Sequence, residues 1–312
     1  MFNDTVSLGT FTNGNTTNIG MNDGILLSTG NVHDAVGPNN TGSKGTSLNL
    51  LGDADLDLLI PSYQTNDASI LEFDLIPTGN FLQFNYVFSS EKYPEFVGST
   101  FNDVFGFFIT GPGLSGLYNG NAINIAKIDT ISVAINNINN GSTNTGPCVN
   151  CDYYISNGTG STPEIDSTIQ YDGFTTLLQA SVYVQPNQTY HLKIAIADAG
   201  DGIYDSGVFL QSKSLKSSMV SVVEQINKDT KVSIYPNPAQ LGSTISYTLY
   251  NNQDVNIEIY DMMGKKVSTL VNEAQTAGVY QFSLDEISNS GTYILKTSFG
   301  YNVKTQRFLF SK

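Results

Sequence analysis

Residues 81–88 read Phe-Leu-Gln-Phe-Asn-Tyr-Val-Phe, and residues 190–197 read Tyr-His-Leu-Lys-Ile-Ala-Ile-Ala. In both stretches large apolar side chains fill every second position, so one face of the segment is apolar along its whole length. A period of two is typical of a β-strand buried on one side. Helical periodicity is almost absent elsewhere, and short alternating runs recur between turn residues. The sequence therefore predicts an all-β chain built from antiparallel sandwiches.

Charge divides the chain into two parts. Residues 1–216 carry 20 acidic and 6 basic side chains, whereas residues 217–312 carry 8 of each. Residues 217–230 show neither clear strand alternation nor a wide apolar stripe, so we predict a linker there. We predict a large, jelly-roll-like β-sandwich at residues 1–216 and a small immunoglobulin-like β-sandwich at residues 231–312.

The composition excludes several classes of function. A formal net charge of −14 repels nucleic-acid phosphates and anionic lipid surfaces, which argues against nucleic-acid binding. No run of about 18 apolar residues exists, so we expect no membrane span. The first five residues lack the basic and apolar regions of a secretory signal. A charged fraction of only 13% is common among exported β-proteins. We therefore expect either an intracellular protein or an exported one whose leader has been trimmed.

The two cysteines of the chain, Cys148 and Cys151, are three positions apart. With only two histidines in the chain, they cannot complete a cysteine–histidine zinc site at one locus. The surrounding Asn, Gly and Ser residues are unlike the helix start of a thioredoxin motif. We therefore expect a small local disulfide in an extracellular protein.

Acidic side chains crowd at three strand ends of the first segment. Three aspartates lie on a glycine-rich loop after the strand that ends at Ala197, an amide and a carboxylate precede a very apolar strand at 104–109, and two glutamates follow the strand at 81–88. Oxygen ligands on turns suit calcium. If these strand ends meet, the predicted calcium ligands are Asp198, Asp201, Asp205, Asn102, Asp103, Glu91 and Glu95. The alternative for each residue is a simple turn-forming role.

A further acidic run, Asp53, Asp55 and Asp57, begins like an EF-hand calcium loop. Leu58 stands where that loop requires glycine, and Gln64 stands where it requires a bidentate glutamate. We therefore predict a turn with a solvated acidic face at this place.

The sequence offers few residues that could carry out nucleophilic catalysis. His33 and His191 are the two histidines, and neither lies near a Gly-x-Ser-x-Gly motif. Glu91 and Glu95 could form the acid and base of a glycoside hydrolase if a cleft held them at the right separation. We expect a protein that is not an enzyme, with a polysaccharide hydrolase or carbohydrate-binding module that uses Glu91 and Glu95 as the alternative.

Four motifs of the first segment occur in a recognisable order. They are Asp-Gly-Ile-Leu-Leu-Ser-Thr-Gly at 23–30, Ser-Glu-Lys-Tyr-Pro-Glu-Phe at 90–96, Phe-Asn-Asp-Val-Phe-Gly-Phe-Phe at 101–108, and the blocks at 196–201 and 204–210. Over residues 11–214 the chain resembles the choice-of-anchor L domain of exported bacterial proteins. The family pattern has a second glutamate where this chain has Lys92. The resemblance implies export and a variable anchor, without an agreed chemistry.

The second segment carries its own motifs, Ile-Tyr-Pro-Asn-Pro at 234–238, Ile-Tyr-Asp-Met-Met-Gly-Lys-Lys-Val at 259–267, and the blocks at 278–280 and 291–296. Residues 231–312 resemble the type A sorting domain of the type IX secretion system of Bacteroidetes. This resemblance implies that the outer-membrane machinery reads residues 231–312, and that the linker is then usually cleaved. The passenger would be released or attached to surface lipopolysaccharide. Precursors of this family carry an amino-terminal export leader, so the resemblance implies that the leader of this chain has been trimmed.

These patterns and resemblances predict one function. We expect an exported protein, secreted or attached to the cell surface, with a non-catalytic β-sandwich that calcium stabilises and that serves adhesion or matrix interaction. Its expected partners are the type IX secretion machinery, through residues 231–312, and a surface glycan or protein ligand.

Overall fold

The computed structural model describes residues 6–61, 63–128, 131–161, 165–220, 232–249, 252–276, 278–285, 287–300 and 302–312. The chain divides into two compact units, Met1–Met219 and Val220–Lys312. The regular secondary structure of both units is almost entirely antiparallel strand, which confirms the all-β prediction.

The first unit contains fourteen strands and one short α-helix among its described residues. The strands are β1 (Leu8–Phe11), β2 (Gly24–Ser28), β3 (Thr65–Leu75), β4 (Phe81–Ser90), β5 (Val104–Thr110), β6 (Ile123–Asn124), β7 (Lys127–Ile128), β8 (Ile131–Ala134), β9 (Tyr154–Ser156), β10 (Gly173–Thr175), β11 (Leu178–Tyr183), β12 (Tyr190–Ala199), β13 (Ser206–Gln211) and β14 (Lys216–Ser218). The helix is α1 (Ala54–Leu59), and 3-10 turns lie at Gly14–Thr16, Val32–Ala35, Asn119–Asn121, Ile135–Asn137 and Cys151–Tyr153.

Two sheets of these strands enclose the main core. The larger sheet has the order β1-β2-β13-β4-β10-β9, with β11 and β14 also pairing with β4. The smaller sheet has the order β3-β12-β5-β8-β7, with β6 pairing with β5. Rings from the two sheets meet in the core, with centroids 5.4 Å apart for Phe84 and Phe107 and 5.1 Å apart for Tyr86 and Phe105. The alternation that predicted the strands thus supplies the core between them.

The run at 53–57 differs from the predicted solvated turn. Asp53 caps the N-terminus of α1 by accepting hydrogen bonds from the backbone N–H groups of Asp55 and Leu56, at 3.0 and 3.2 Å. Lys193 Nζ lies 2.5 Å from Asp53 Oδ2 and 2.7 Å from Asp55 Oδ2. Asp53 and Asp55 are both buried, so the prediction of a solvated face is wrong. A lysine of β12 makes their burial tolerable, because its ammonium group forms an ion pair with each carboxylate.

The predicted disulfide is present. Cys148 and Cys151 are bonded to each other, with their Cα atoms 5.2 Å apart. The disulfide links residues three positions apart next to the short strand β9 and therefore constrains only local structure.

The first unit extends slightly beyond its predicted end. β14 pairs with β4 through Ser218, so the sheet includes the first two residues of the predicted linker 217–230. Residues 221–230 of the predicted linker lie outside the described residues. Among the helices that the structure describes, none has the length and apolar character to cross a membrane.

The second unit contains seven strands within its described residues: β15 (Ser233–Tyr235), β16 (Thr244–Leu249), β17 (Gln253–Asp261), β18 (Lys266–Gln275), β19 (Gly278–Ser283), β20 (Gly291–Phe299) and β21 (Asn302–Phe310). They form one sheet of order β15-β16-β19 and another of order β18-β17-β20-β21. Side chains of both sheets share a core, in which the rings of Tyr247 and Phe299 lie 5.1 Å apart. The second unit is therefore a small two-sheet β fold with its own core, as its alternating runs predict.

Candidate functional site

The acidic strand ends of the first unit do meet, but they divide between two faces of the larger sheet. Successive residues of an extended segment point to opposite faces. Glu91 and Lys92, which follow β4, are adjacent residues, so they cannot share one site. We call Lys92, Asp103, Asp198, Asp201 and Ser206 the inner cluster, because it continues the core-facing positions. We call Asp172, Glu91 and Asp205 the outer row.

The inner cluster closes one end of the core around a buried lysine. β12 pairs with β5 through Ala197 and Val104, so the next residues, Asp198 and Asp103, lie directly opposite each other. Lys92 Nζ lies 2.6 Å from Asp103 Oδ1, and it is 3.8 Å from an oxygen of Asp198. The three side chains are completely buried. An ammonium group thus lies between two carboxylates that would otherwise repel each other.

Hydrogen bonds distinguish the two buried carboxyl groups. Asp103 also accepts hydrogen bonds from Ser206 Oγ at 2.6 Å and from the Ala199 backbone N–H at 2.9 Å. Neither oxygen of Asp198 accepts a hydrogen bond. Burial raises the pKa of both groups, and the neighbouring Asp103 carboxylate adds to the shift of Asp198. The close ion pair of the cluster therefore joins Lys92 to Asp103.

The charge of Lys92 is retained in spite of its burial. Burial opposes the ammonium form, but the carboxylates of Asp103 and Asp198 outweigh that effect and raise the pKa of Lys92. Asp201 lies 3.8 Å from Lys92 Nζ and is 38% exposed, so it connects the cluster to solvent. The inner cluster is therefore a structural ion pair with a single exposed carboxylate at its edge.

The outer row follows from strand register. β10 pairs with β4 through Gly173 and Ser90, and β13 pairs with β4 through Ser206 and the same Ser90. The next positions therefore place Asp172 and Asp205 on either side of Glu91. The Glu91 backbone N–H donates to the Asp205 carbonyl oxygen at 3.0 Å, which extends this register. Since neighbouring strands lie about 4.8 Å apart, three carboxylates stand side by side on one face of the sheet.

Hydrogen bonds satisfy Asp205 at one end of the outer row, but they leave carboxylate oxygens of Glu91 and Asp172 without a partner. Both oxygens of Asp205 accept from the Thr46 backbone N–H, at 3.0 and 3.1 Å. Asp172 Oδ1 accepts from Asn39 Nδ2 at 2.7 Å. Asp172 Oδ2 and both carboxylate oxygens of Glu91 are buried without a hydrogen-bond partner.

The nearby amide of Gln170 does not complete the row. Gln170 Nε2 donates to Asn39 Oδ1 at 3.2 Å and to the Thr41 carbonyl oxygen at 2.8 Å. We call the loop that carries Asn39 and Thr41 the covering loop. Both N–H groups of the Gln170 amide donate to this loop, so neither donates to Glu91. Glu91 is 1% exposed and Asp172 is fully buried, so the missing partners are not bulk water.

Burial shifts the titration of all three carboxyl groups, and neighbouring carboxylates add to each shift. Burial and the Asp172 carboxylate raise the pKa of Glu91 from 4.5 to about 9. Burial raises the pKa of Asp172 from 3.8 to about 8, and it raises the pKa of Asp205 from 3.8 to about 7. The Glu95 carboxylate adds to the shifts of Glu91 and Asp172. Without a bound cation, the row therefore favours protonated carboxyl groups.

These shifts predict how pH changes stability when divalent cations are chelated. Between about pH 4 and pH 9 the folded state holds more protons than the unfolded chain, so the free energy of unfolding should fall as the pH rises. Chemical denaturation in chelator at pH 5, 7 and 9 measures this trend. Glu91→Gln should flatten the slope, because it removes the group with the highest pKa of the row. A free energy of unfolding that increases from pH 5 to pH 9 would contradict the assignment.

The remaining predicted ligands, Asn102 and Glu95, complete neither group. Asn102 Oδ1 accepts from the Asn136 backbone N–H at 2.8 Å, and the Glu95 side chain is exposed, although its carboxylate is near enough to raise the pKa of Glu91 and Asp172. The seven predicted ligands thus do not converge on one point. Among the described residues, no group of three His, Cys, Asp or Glu side chains is arranged to hold a metal ion. Calcium binding remains a prediction.

Sequence reasoning missed the residues that complete the two groups. Asp172, Asn39 and Gln170 belong to segments without a recognisable motif, and Ser206 was noticed only as part of a family block. Asp172 lies 81 positions from Glu91, and strand register alone brings the two together. Lys92 had a usable signal, since it continues the core-facing alternation of β4.

Comparisons with known proteins identify the families of this chain's two parts but not an activity. A family model described as Choice-of-anchor L domain matches residues 1–216. A second model, described as Secretion system C-terminal sorting domain, matches residues 233–311. No curated protein matches this chain.

Solved structures give only distant matches. They include β-glucuronidases of Faecalibacterium prausnitzii (10% identity, 78% of this chain and 37% of that chain, TM-score 0.21), of an uncultured Clostridium sp. (10%, 78%, 35%, TM-score 0.18) and of Ruminococcus gnavus (9%, 78%, 35%, TM-score 0.19). This chain spans little more than a third of the length of those enzymes. Similarity at this level carries no argument about fold or activity.

The two family matches cover both units of the chain, in the order that the sequence motifs predict. The carboxy-terminal match indicates export by type IX secretion to the cell surface or the medium. Since the first model covers more than half of the chain, the protein belongs to the choice-of-anchor L family and carries a C-terminal sorting domain of the type IX secretion system.

Proposed function

We propose that this exported protein is non-catalytic and that its first unit binds a surface glycan or a protein in adhesion or matrix interaction. We propose further that calcium stabilises this unit. The observation that carries the proposal is the burial of the acidic groups at the rim. Lys92, Asp103 and Asp198 are completely buried, Lys92 is paired with Asp103, and its ammonium group lies 3.8 Å from Asp198, which suits a structural role rather than contact with a substrate.

The alternative hydrolase has less support. A carboxylate pair that cleaves a polysaccharide must contact the sugar with both groups. Glu91 is 1% exposed and lies under the loop that carries Asn39 and Thr41, whereas Glu95 is exposed. The raised pKa of Glu91 would suit a general acid, but its burial separates it from any polymer outside.

A pocket on the outer face of the larger sheet offers a place for the ligand. Its volume is about 510 Å³, which is within the usual range for a ligand site. Buried Leu26 and Phe209 form its apolar floor, and exposed His33 and Asp166 lie at its rim. An apolar floor with a few polar groups suits one or two sugar units, which present both apolar ring faces and hydroxyl groups.

Binding of the full chain to extracted cell-surface polysaccharides tests the proposal. We expect retention of the polysaccharide without release of new reducing ends. Asp166→Ala should weaken binding by about tenfold or more, because it removes a charged hydrogen-bond acceptor at the rim. Asp152→Ala is the matched control, since Asp152 is an exposed aspartate outside the pocket and its loss should leave binding unchanged. Release of sugar that depends on Glu91 would favour the hydrolase instead.

A further inference from the structure

We call the acidic strand ends of the first unit the acidic rim. Both groups of buried carboxylates at this rim would be stabilised by a nearby positive charge, and of the two only the inner cluster contains a lysine. In the inner cluster, Lys92 Nζ stands within 4 Å of Asp103, Asp198 and Asp201. The ammonium group thus takes the central position that a metal ion would need among these aspartates. The outer row has no such group, because the lysine that follows Glu91 points to the opposite face.

The carboxylate oxygens of the outer row that lack a partner belong to two side chains. Glu91 Oε1, Glu91 Oε2 and Asp172 Oδ2 are three buried carboxylate oxygens without hydrogen-bond partners, on two residues that strand register places directly opposite each other. Buried carboxylates without partners are rare in native proteins. They also stand at a distance at which like charges destabilise a sheet. A ligand that contacts both side chains would remove both defects.

We propose that Glu91 and Asp172 together bind a divalent cation, and that calcium is the cation their surroundings suit. This inference rests on the proposed function, in which calcium stabilises the first unit, and it assigns the ion to the outer row instead of the loop at 198–205. The donors are hard carboxylate oxygens, as calcium prefers. Calcium also accepts amide and backbone carbonyl oxygens, and the covering loop supplies such groups at Asn39 and Thr41.

The oxygens without partners lie at one end of the row. The covering loop packs closely there: a Cβ atom built on Gly42 would lie 2.1 Å from the Thr159 carbonyl oxygen and 3.6 Å from Asp172 Oδ2, so only glycine fits this close approach. At the far end of the row, Asp205 already accepts two contacts from the Thr46 N–H, and a Cβ atom on Gly30 would lie 1.9 Å from Asp205 Oδ2. The unmet oxygens therefore lie at Glu91 and Asp172, away from Asp205.

Thermal unfolding of the full chain in millimolar calcium and in chelator tests this assignment, with bound calcium measured by titration calorimetry. We expect a rise of about 3–8 °C in the melting temperature of the first unit at saturating calcium, with one ion bound. Glu91→Gln and Asp172→Asn should each abolish the rise. In chelator, each variant should melt at or above the temperature of the unmodified chain, because an amide removes the cost of keeping a buried carboxyl group protonated.

Asp201→Asn is the matched control. It removes one carboxylate from the loop at 198–205, so the calcium-dependent rise should persist if the ion lies in the outer row. Persistence of the rise in Glu91→Gln and Asp172→Asn, with its loss in Asp201→Asn, would overturn the location while leaving calcium stabilisation intact. No rise and no bound calcium in the unmodified chain would overturn both statements about calcium. Polysaccharide binding tests adhesion independently of either outcome.

Discussion

Replacing Lys92 with methionine should destabilise the first unit by about 3–5 kcal/mol, because removal of one partner leaves a buried charge uncompensated. The substitution preserves much of the apolar stem but removes the ammonium group that lies 2.6 Å from Asp103 Oδ1. Asp103 and Asp198 would then face each other without a cation between them. Urea denaturation of the full chain, followed by a probe in the first unit, measures the change in the free energy of unfolding.

Lys44→Met provides the matched control for this result. Lys44 Nζ lies 3.4 Å from Asp34 Oδ1, but the lysine side chain is 45% exposed, so solvent screens this pair. Its loss should change the free energy of unfolding by less than about 1 kcal/mol. If Lys92→Met proved as mild as Lys44→Met, the inner cluster would not be a structural ion pair.

Deletion of residues 233–311 should cause nearly complete loss of the protein from the cell surface and the medium in a bacterium with type IX secretion. The reason is that the sorting domain is the part of the chain that the secretion machinery reads. The first unit has its own core, so it should still fold and accumulate inside the outer membrane. Immunoblots of the cell, surface and medium fractions measure the distribution.

A fusion supplies the converse control for export. Residues 220–312 form a separate compact unit, so joining them to an unrelated folded protein with an export leader should carry that protein across the outer membrane. The same fusion in a strain without type IX secretion should stay inside. Equal amounts of the deleted and the full chain outside the cell would contradict the role of the sorting domain.

The sequence predicts the strands better than it predicts the site. The alternation at 190–197 places Ile194 and Ile196 in the core, and its continuation by one step places Asp198 there as well. This continuation could have shown that Asp198 is a buried group rather than a loop ligand. The same period separates Glu91 from Lys92, and it therefore argues against a single site that contains every acidic residue of the rim.

Other features depend on information that one sequence does not contain. Asp172 and Asp205 flank Glu91 only because β10 and β13 pair with β4 in one particular register. Register depends on the packing of whole strands, and a shift by one residue would reverse every side chain. The hydrogen bond between Asn39 and Asp172 joins residues 133 positions apart and carries no local pattern. The ion pairs of Lys193 with Asp53 and Asp55 were missed for the same reason.

An anomalous-scattering experiment on crystals of the full chain grown in calcium tests our proposal for the acidic rim most sharply. In that proposal cations hold the rim together, with Lys92 inside the sandwich and calcium outside. We predict one calcium peak in contact with Glu91 and Asp172, while Lys92 Nζ remains against Asp103. A calcium ion bound among Asp198, Asp201 and Asp205, or crystals with no calcium at Glu91, would contradict it.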